Sequence, residues 1–159
     1  MARLTLVAGM PGAGKTTVAK HVSAETGAVR LCPDEWLLDL CLDPHDSAVR
    51  LALEAKLCSL AMALLRAGTS VILEFGFWTR SERDQLRDAA RAIGADVELI
   101  CLDVALEERW RRIQQRDTLG NVTVTRAQLQ EWDRWWQPAT ASELASYDAP
   151  PHSDQPPTT

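Results

Sequence analysis

Residues 9–16 constrain the fold of this chain more than any other segment. They read Gly-Met-Pro-Gly-Ala-Gly-Lys-Thr, which satisfies the pattern G-x-x-x-x-G-K-[ST]. An apolar run, residues 4–8, precedes them, and an amphipathic pattern follows from Lys15 to a glycine at position 27. A strand, a glycine-rich turn and a helix in this order are typical of a loop whose backbone N–H groups converge on phosphate oxygens.

Each residue type in this loop has a chemical reason. Gly12 and Gly14 leave the backbone free to turn and to approach an anion, because a Cβ would obstruct both. Lys15 supplies a positive charge to the β- and γ-phosphates, and the Thr16 hydroxyl is placed to ligate Mg²⁺. The Thr17 hydroxyl is a candidate for the α-phosphate. The alternative, a tight turn whose glycines serve packing only, is disfavoured by the flanking strand and helix. We predict that ATP and Mg²⁺ are bound by the whole loop, Gly9, Met10, Pro11, Gly12, Ala13, Gly14, Lys15, Thr16 and Thr17.

Length and composition narrow the possible partners. The 159 residues have the size of one compact domain, and 17 Lys and Arg stand against 22 Asp and Glu, for a formal net charge of −5. No global positive field attracts a nucleic acid, so binding one would need a local basic patch. The four cysteines match no zinc or redox spacing. Neither a signal-peptide pattern nor an apolar run of about 20 residues occurs. We expect a cytoplasmic protein without membrane contact, acting as a monomer or a homodimer.

Short apolar runs alternate with longer helical patterns, which predicts βα units around a parallel sheet. Four strands are expected, over residues 4–8, 29–32, 71–73 and 97–102. The predicted fold class is the α/β three-layer sandwich of P-loop NTPases. It has a mostly parallel sheet in the order 2-3-1-4, helices on both faces and a helical lid. Residues 1–148 form this domain, and the proline-rich tail 149–159 is expected to be disordered.

Helix starts are predicted from Ser or Thr followed three positions later by an acid or an amide, the capping-box spacing. This pattern occurs at Ser81 with Asp84, at Thr125 with Gln128 and at Thr140 with Glu143.

Several side chains at predicted strand ends are candidates for chemistry. Glu74 ends the third strand, where an acid holds Mg²⁺ through water; the alternative is that it binds an acceptor hydroxyl. Trp36 and Trp78 follow strand ends, and their flat apolar rings suit a sugar face or a planar acceptor. Arg109, Arg112 and Arg116 are spaced by three and four residues and so form one helical stripe. This stripe either contacts phosphate or is a solvated face paired with neighbouring acids.

Together these segments resemble the AAA-type P-loop kinases related to chloramphenicol phosphotransferase, zeta toxin and the kinase domain of polynucleotide kinase. The similarity runs to about Tyr147. The residues that carry it are Gly9–Thr17, Pro33-Asp34-Glu35-Trp36, Glu74-Phe75-Gly76-Phe77-Trp78 with Arg80 and Arg83, and Leu102-Asp103 followed by Arg109, Arg112 and Arg116.

The resemblance implies transfer of the ATP γ-phosphate to a hydroxyl. It implies Asp34 as the general base that accepts the hydroxyl proton, with Glu35 as the fallback carboxylate. From the residues alone, Asp34 is equally a helix N-cap. The resemblance also implies that Arg112 and Arg116 stabilise the γ-phosphate and that Arg109 lies near the nucleotide. Arg83 is a candidate for phosphate or acceptor, or else part of a solvated helix face.

The acceptor is expected to be a small hydroxylated molecule such as a sugar, a nucleoside or an antibiotic-like compound. Two alternatives remain, a nucleic-acid 5′-hydroxyl kinase and a non-catalytic ATP-binding regulatory module.

The loop assignment predicts the behaviour of Lys15→Ala. Without the ammonium group, both affinity for Mg–ATP and turnover should be lost, because no other loop side chain carries a positive charge. Titration with a fluorescent ATP analogue measures the affinity. Wild-type nucleotide affinity in this variant would overturn the assignment.

Overall fold

The computed structural model describes residues 1–117 and 124–150. Within these ranges it contains four strands, β1 (Arg3–Gly9), β2 (Val29–Leu31), β3 (Val71–Gly76) and β4 (Asp96–Leu102). Seven helices occur in the same ranges, α1 (Lys15–Thr26), α2 (Pro33–Asp39), α3 (Ser47–Arg66), α4 (Arg80–Ala92), α5 (Leu106–Asp117), α6 (Arg126–Trp132) and α7 (Ala141–Leu144).

The four strands form one sheet, in which all neighbours are parallel and the order is β2-β3-β1-β4. Leu4 of β1 lies opposite Val71 on one side and Val97 on the other. The strand count and order predicted from the sequence are confirmed. Because the strands are parallel, their carboxyl ends meet at one edge, where open α/β sheets bind ligands.

Alternate residues of the sheet pack into two separate cores, which explains the continuous apolar strands. Leu6 and Leu73 belong to the larger core, which α3 completes with Leu57 and Ala61. Val7 belongs to a smaller core on the opposite face, where Ala19 of α1 packs. The chain is therefore a three-layer sandwich with helices on both faces of the sheet, as predicted.

A β-bulge interrupts the pairing of β1 with β3. Leu6 pairs with Leu73, whereas Ala8 pairs with Gly76, so β3 contains one extra residue in this interval. The interval contains Glu74. Bulges redirect side chains and are frequent beside functional sites, and this one lies where β3 reaches the ligand-binding edge.

The helix caps agree with the sequence prediction in two of three cases. Thr125 and Gln128 form a capping box at α6, and Thr140 caps α7 by accepting from the Glu143 N–H. The prediction for α4 was wrong, because its capping box is formed by Thr79 and Glu82. Ser81 already lies in the first turn. The Thr-x-x-Glu spacing two residues earlier fits the box better, since glutamate reaches back to the N-cap N–H more readily than aspartate.

The assignment of Arg83 to phosphate or acceptor binding was also wrong. The Arg83 side chain is fully buried and forms a two-point ion pair with Glu143 of α7, at 2.7 and 2.9 Å. Its remaining terminal nitrogen, Nη1, donates to the Phe77 carbonyl at 3.0 Å. The guanidinium thus ties α4 to α7 and to the end of β3, and it is not accessible to a ligand.

Two predicted features fall wholly or partly outside the described residues. The loop that contains Gly120 and Asn121 lies outside them, as do residues 151–159 of the predicted tail. The first residue of that tail, Ala149, is bound to β1, because the Arg3 side chain donates to its carbonyl at 2.7 Å. Across residues 1–117 and 124–150, no helix has both the length and the apolar composition that a membrane span requires.

The buried pair predicts a large loss of stability for Arg83→Ala. Removing the guanidinium leaves the Glu143 carboxylate buried without its partner, which should lower the free energy of unfolding by about 3–5 kcal/mol. Urea denaturation measures this. The matched control is Arg80→Ala in the same helix, whose pair with Asp84 is half exposed and should change stability by less than about 1 kcal/mol. Equal effects of the two substitutions would contradict the proposed role of Arg83.

Candidate active site

The loop between β1 and α1 forms an anion cradle. Gly14 is the N-cap of α1 in the left-handed conformation, with φ of 99°, and no side chain caps the first N–H groups of the helix. Those donors are therefore free to face an anion. Gly12 has φ of 81°, and a Cβ on it would lie 2.8 Å from the Arg109 carbonyl oxygen. Packing against α5 as well as backbone conformation thus requires glycine at position 12.

Lys15 is the first residue of α1 and folds back over the loop. Its Nζ donates to the Met10 carbonyl at 3.1 Å. Burial lowers the pKa of the Lys15 ammonium from its ordinary value of 10.5, while the carboxylates of Asp34 and Glu74 act in the opposite direction and Arg116 in the same one. The structure therefore brings the predicted base, the strand-end acid and one predicted arginine within electrostatic range of this lysine.

Thr16 and Glu74 are in direct contact. The Thr16 hydroxyl donates to Oε1 of Glu74, which is buried at the bulge of β3. Hydroxyl and carboxylate oxygens are the ligands, direct or through water, that Mg²⁺ prefers. This pair therefore fits a magnesium ion at the mouth of the loop. Two roles were predicted for Glu74, and its contact with Thr16 favours magnesium binding over binding of an acceptor hydroxyl.

Arg30 also belongs to this arrangement, although it was not among the predicted site residues. Its Nη1 donates to Glu74 Oε2 at 2.6 Å, and its Nη2 donates to Glu35. Glu35 also lies 3.6 Å from Lys20 of α1. A single guanidinium thus joins the strand-end acid to the helix that contains Asp34. The sequence signal that could have identified Arg30 is a charged residue inside a short apolar strand, next to the strand that contains Glu74.

Asp34 lies in the first turn of α2, and the alternative of an N-cap role was wrong. The helix begins at Pro33, and the N-cap is Cys32, which forms no side-chain cap. The Asp34 side chain is 72% exposed, and its Oδ1 accepts from Arg50 Nη2 at 2.6 Å. Its carboxylate is therefore open to an acceptor on one side and held by α3 on the other. Arg50 was not among the predicted site residues.

The three arginines of the α5 stripe have different environments. Arg109 is buried; its Nε donates to the Val104 carbonyl at 2.8 Å, its Nη2 bonds Asp133, and its Nη1 has no partner among the described residues. Arg112 bonds Glu108 through Nε at 2.8 Å and the Ala13 carbonyl through Nη1 at 3.2 Å.

Arg116 is exposed, within electrostatic range of Lys15. One arginine of the stripe is thus buried in the protein; Arg112 contacts the phosphate loop, and Arg116 lies within electrostatic range of Lys15.

The two tryptophans that were predicted to contact an acceptor, Trp36 and Trp78, differ in their accessibility. Trp36 is 38% exposed on α2. Trp78 packs on Trp132, with ring centroids 5.9 Å apart, and its carbonyl accepts from the Gln137 N–H at 2.8 Å. Trp36 is therefore available to a ligand, whereas Trp78 also serves to dock the segment after α6.

Comparison with known proteins agrees with this geometry. The family model described as an AAA domain matches residues 4–139. No curated protein matches the chain in sequence. The family resemblance drawn from the sequence is confirmed.

Three solved structures illustrate the likeness. A chain of the Pnkp1/Rnl/Hen1 RNA repair complex is 23% identical with a TM-score of 0.71, over 92% of this chain and 46% of that one. A sugar kinase from Janibacter sp. HTCC2649 is 25% identical with a TM-score of 0.57, over 96% and 82%. The Mycobacterium tuberculosis APS kinase CysC, in complex with AMPPNP and APS, is 22% identical with a TM-score of 0.56, over 77% and 76%. This chain spans less than half the length of the RNA repair protein.

The contacts of Arg30 predict a stability defect for Arg30→Gln. The variant removes the partner of a buried carboxylate and should lower the free energy of unfolding by about 3 kcal/mol. Arg30→Lys keeps the charge but not the fork that bridges two carboxylates, so it should recover only part of the loss. Arg66→Gln, on the exposed end of α3, is the matched control and should change stability by about 0.5 kcal/mol or less. A loss below about 1 kcal/mol in Arg30→Gln, measured by urea denaturation, would contradict this prediction.

Proposed function

From the premise that the chain belongs to the AAA domain family, with the fold of P-loop kinases, we propose that it is an ATP-dependent kinase of a small hydroxylated molecule. The observation that carries the proposal is the convergence of three groups at one edge of the sheet. The cradle holds Lys15, and the charges of Glu74 and of the exposed Asp34 both act to raise the pKa of that lysine. Glu74 also bonds Thr16. A site that only stored nucleotide would not need an exposed carboxylate at this position.

The cradle binds the triphosphate of ATP. The unpaired N–H groups at the start of α1 face the phosphates, and the Lys15 ammonium leaves the Met10 carbonyl to pair with the β- and γ-phosphates. Moving from the Met10 carbonyl to a phosphate brings the Lys15 ammonium next to negative charge. This charge stabilises the ammonium and opposes the effect of burial, which lowers its pKa.

Thr16 and Glu74 are the residues that would hold Mg²⁺, the first directly and the second through water. The ion neutralises charge on the β- and γ-phosphates when bound. Arg30 holds the Glu74 carboxylate in place beside Thr16. Because the Thr16 hydroxyl already contacts Glu74, both groups would be within reach of one ion.

Asp34 accepts the proton of the acceptor hydroxyl. The acceptor oxygen forms a bond to the γ-phosphorus, the bond from that phosphorus to the β,γ-bridging oxygen breaks, and the proton passes to the Asp34 carboxylate. ADP and a phosphate monoester are the products. Arg50 orients the carboxylate through its 2.6 Å contact, so that one face of Asp34 is held and the other is left for the acceptor.

Arg112 and Arg116 stabilise the charge on the transferred phosphoryl group, because both face the loop from α5. Closure of α5 over the nucleotide is part of this proposal. The buried Arg109 supports α5 by bonding Asp133, and its unpaired Nη1 keeps it a candidate for the nucleotide side.

The nucleic-acid 5′-hydroxyl kinase is the second candidate, and the likeness to a chain of an RNA repair complex is the observation in its favour. Steep loss of affinity with rising salt would support it.

The decisive experiment uses Asp34→Asn. The variant should bind Mg–ATP normally and lose acceptor-dependent ADP release by about 10²–10⁴-fold, because the amide cannot take a proton. Asp39→Asn, at the exposed end of the same helix, is the matched control and should retain activity. A panel of sugars, nucleosides and hydroxylated antibiotics supplies acceptors, and mass spectrometry locates the new phosphate. Unchanged turnover in Asp34→Asn would remove Asp34 from the mechanism. Nucleotide binding without transfer to any acceptor would favour the regulatory module.

A further inference from the structure

A cavity of about 330 Å³ lies between α3 and α4 at the end of β3. This volume is at the lower end of the range of small-molecule sites. Leu51 and Cys58 of α3 line one side, and Phe75 and Phe77 line the floor. Burial raises the pKa of the Cys58 thiol to about 11, so the cysteine contributes a neutral, apolar surface to the wall.

The aromatic floor is held in an unusual backbone conformation. Phe77 has φ of 47°, in the left-handed region that bulky residues seldom adopt. Its carbonyl accepts from the buried Arg83, which holds the turn. In this conformation the rings of Phe75 and Phe77 stack with centroids 5.4 Å apart and planes 13° apart. Strain of this kind persists where the surrounding structure enforces it and is concentrated at ligand sites.

The charged side chains that line the cavity are acidic. Glu54 of α3 and Glu82 of α4 line it, and among its described lining residues none is a lysine, arginine or histidine. Burial raises the pKa of the Glu54 carboxyl; Arg50 opposes this shift, and the charges of Glu82 and Asp34 add to it. The carboxylates are therefore close enough to repel one another, while Glu54 also pairs with Arg50 and Glu82 accepts from Thr79 in the capping box.

Arg50 connects this cavity to the proposed base. Its Nη2 lies 2.6 Å from Asp34 Oδ1, and its Nη1 lies 3.6 Å from Glu54 Oε1. One guanidinium thus bridges the carboxylate that takes the proton and the carboxylate that lines the cavity. Because the two carboxylates neutralise Arg50, it offers little attraction to an anionic acceptor.

We infer that the acceptor is a small hydroxylated amine, a cation with an apolar or aromatic body, which this cavity holds beside Asp34. The inference rests on the proposed function and deepens it. The stacked rings pack against the body of the acceptor, and Glu54 and Glu82 pair with its ammonium group. Phosphorylated and carboxylated acceptors, nucleic acids included, are repelled by the same carboxylates.

Three phenyl-bearing alcohols of similar size test the charge preference: 2-amino-1-phenylethanol, 1-phenylethane-1,2-diol and mandelic acid, which are cationic, neutral and anionic at pH 7. Calorimetry on the full chain without nucleotide measures binding separately from phosphate transfer. The amine should bind about tenfold or more tightly than the diol, and mandelate should bind most weakly. The preference for the amine should shrink as salt rises from about 20 to 500 mM.

The variant Glu54→Gln/Glu82→Gln should reduce the preference for the amine to about twofold or less. Glutamine at position 82 keeps the capping box with Thr79, since an amide oxygen also accepts there. Asp88→Asn, on α4 and outside the cavity lining, is the matched control and should retain the full preference. The salt dependence of the wild type tests the same charge effect should the double variant fail to fold.

Each outcome separates the inference from the proposed function. Equal binding of the three probes, no binding of any up to about 10 mM, or a preference that survives in the double variant would overturn the inference. Phosphate transfer to the diol or to mandelate at the rate of the amine would also overturn it, while the proposed function would stand. A charge preference without phosphate transfer from ATP to the amine would overturn the assignment of this cavity to the acceptor, while the proposed function would stand on the acceptor panel.

Discussion

The buried carboxylate of Glu74 is the interaction on which the candidate site depends. It lies at the end of β3, where it accepts from the Thr16 hydroxyl on one side and from Arg30 on the other. Burying a carboxylate without a cationic partner is costly, so the ion pair with Arg30 stabilises Glu74 inside the sheet edge. The same guanidinium bonds Glu35, and the position of α2, with Asp34 in its first turn, is thereby linked to the metal-binding side.

Two buried arginines, Arg83 and Arg109, stabilise the packing of helices near the site. Arg83 joins α4 and α7 and holds the Phe77 carbonyl, whereas Arg109 joins α5 to Asp133 beyond α6. Each guanidinium bonds both a carbonyl and a carboxylate acceptor, and for Arg83 that carboxylate, Glu143, is itself buried. The exposed arginines, Arg112 and Arg116, are left to face the phosphate loop. Burial, more than residue type, divides the arginines between packing and chemistry.

The candidate site contains a gradient of charge along the sheet edge. Lys15, Arg112 and Arg116 surround the cradle and suit a polyphosphate. Farther along, Arg50 is neutralised by two carboxylates, and the cavity beyond it is acidic. In the proposed function, such a separation orients two substrates of opposite charge so that a hydroxyl on one approaches the terminal phosphate of the other. The overall negative charge of the chain does not conflict with phosphate binding, because the cations are concentrated where the phosphate binds.

Local patterns in the sequence were enough to predict the phosphate loop and the four strands, because glycine spacing and apolar runs act over a few residues. The strand order was expected from the fold class that the loop indicates. The register of the bulge at Glu74 and the choice between two overlapping capping boxes depended on neighbours across the sheet or at the helix start. Tertiary structure alone decided which polar side chains meet. Thr16 contacts Glu74 across 58 residues, Arg30 contacts Glu74 across 44, and Arg83 contacts Glu143 across 60. A single sequence carries no signal for such pairs, since an arginine that is paired and buried has the same local pattern as one that faces solvent.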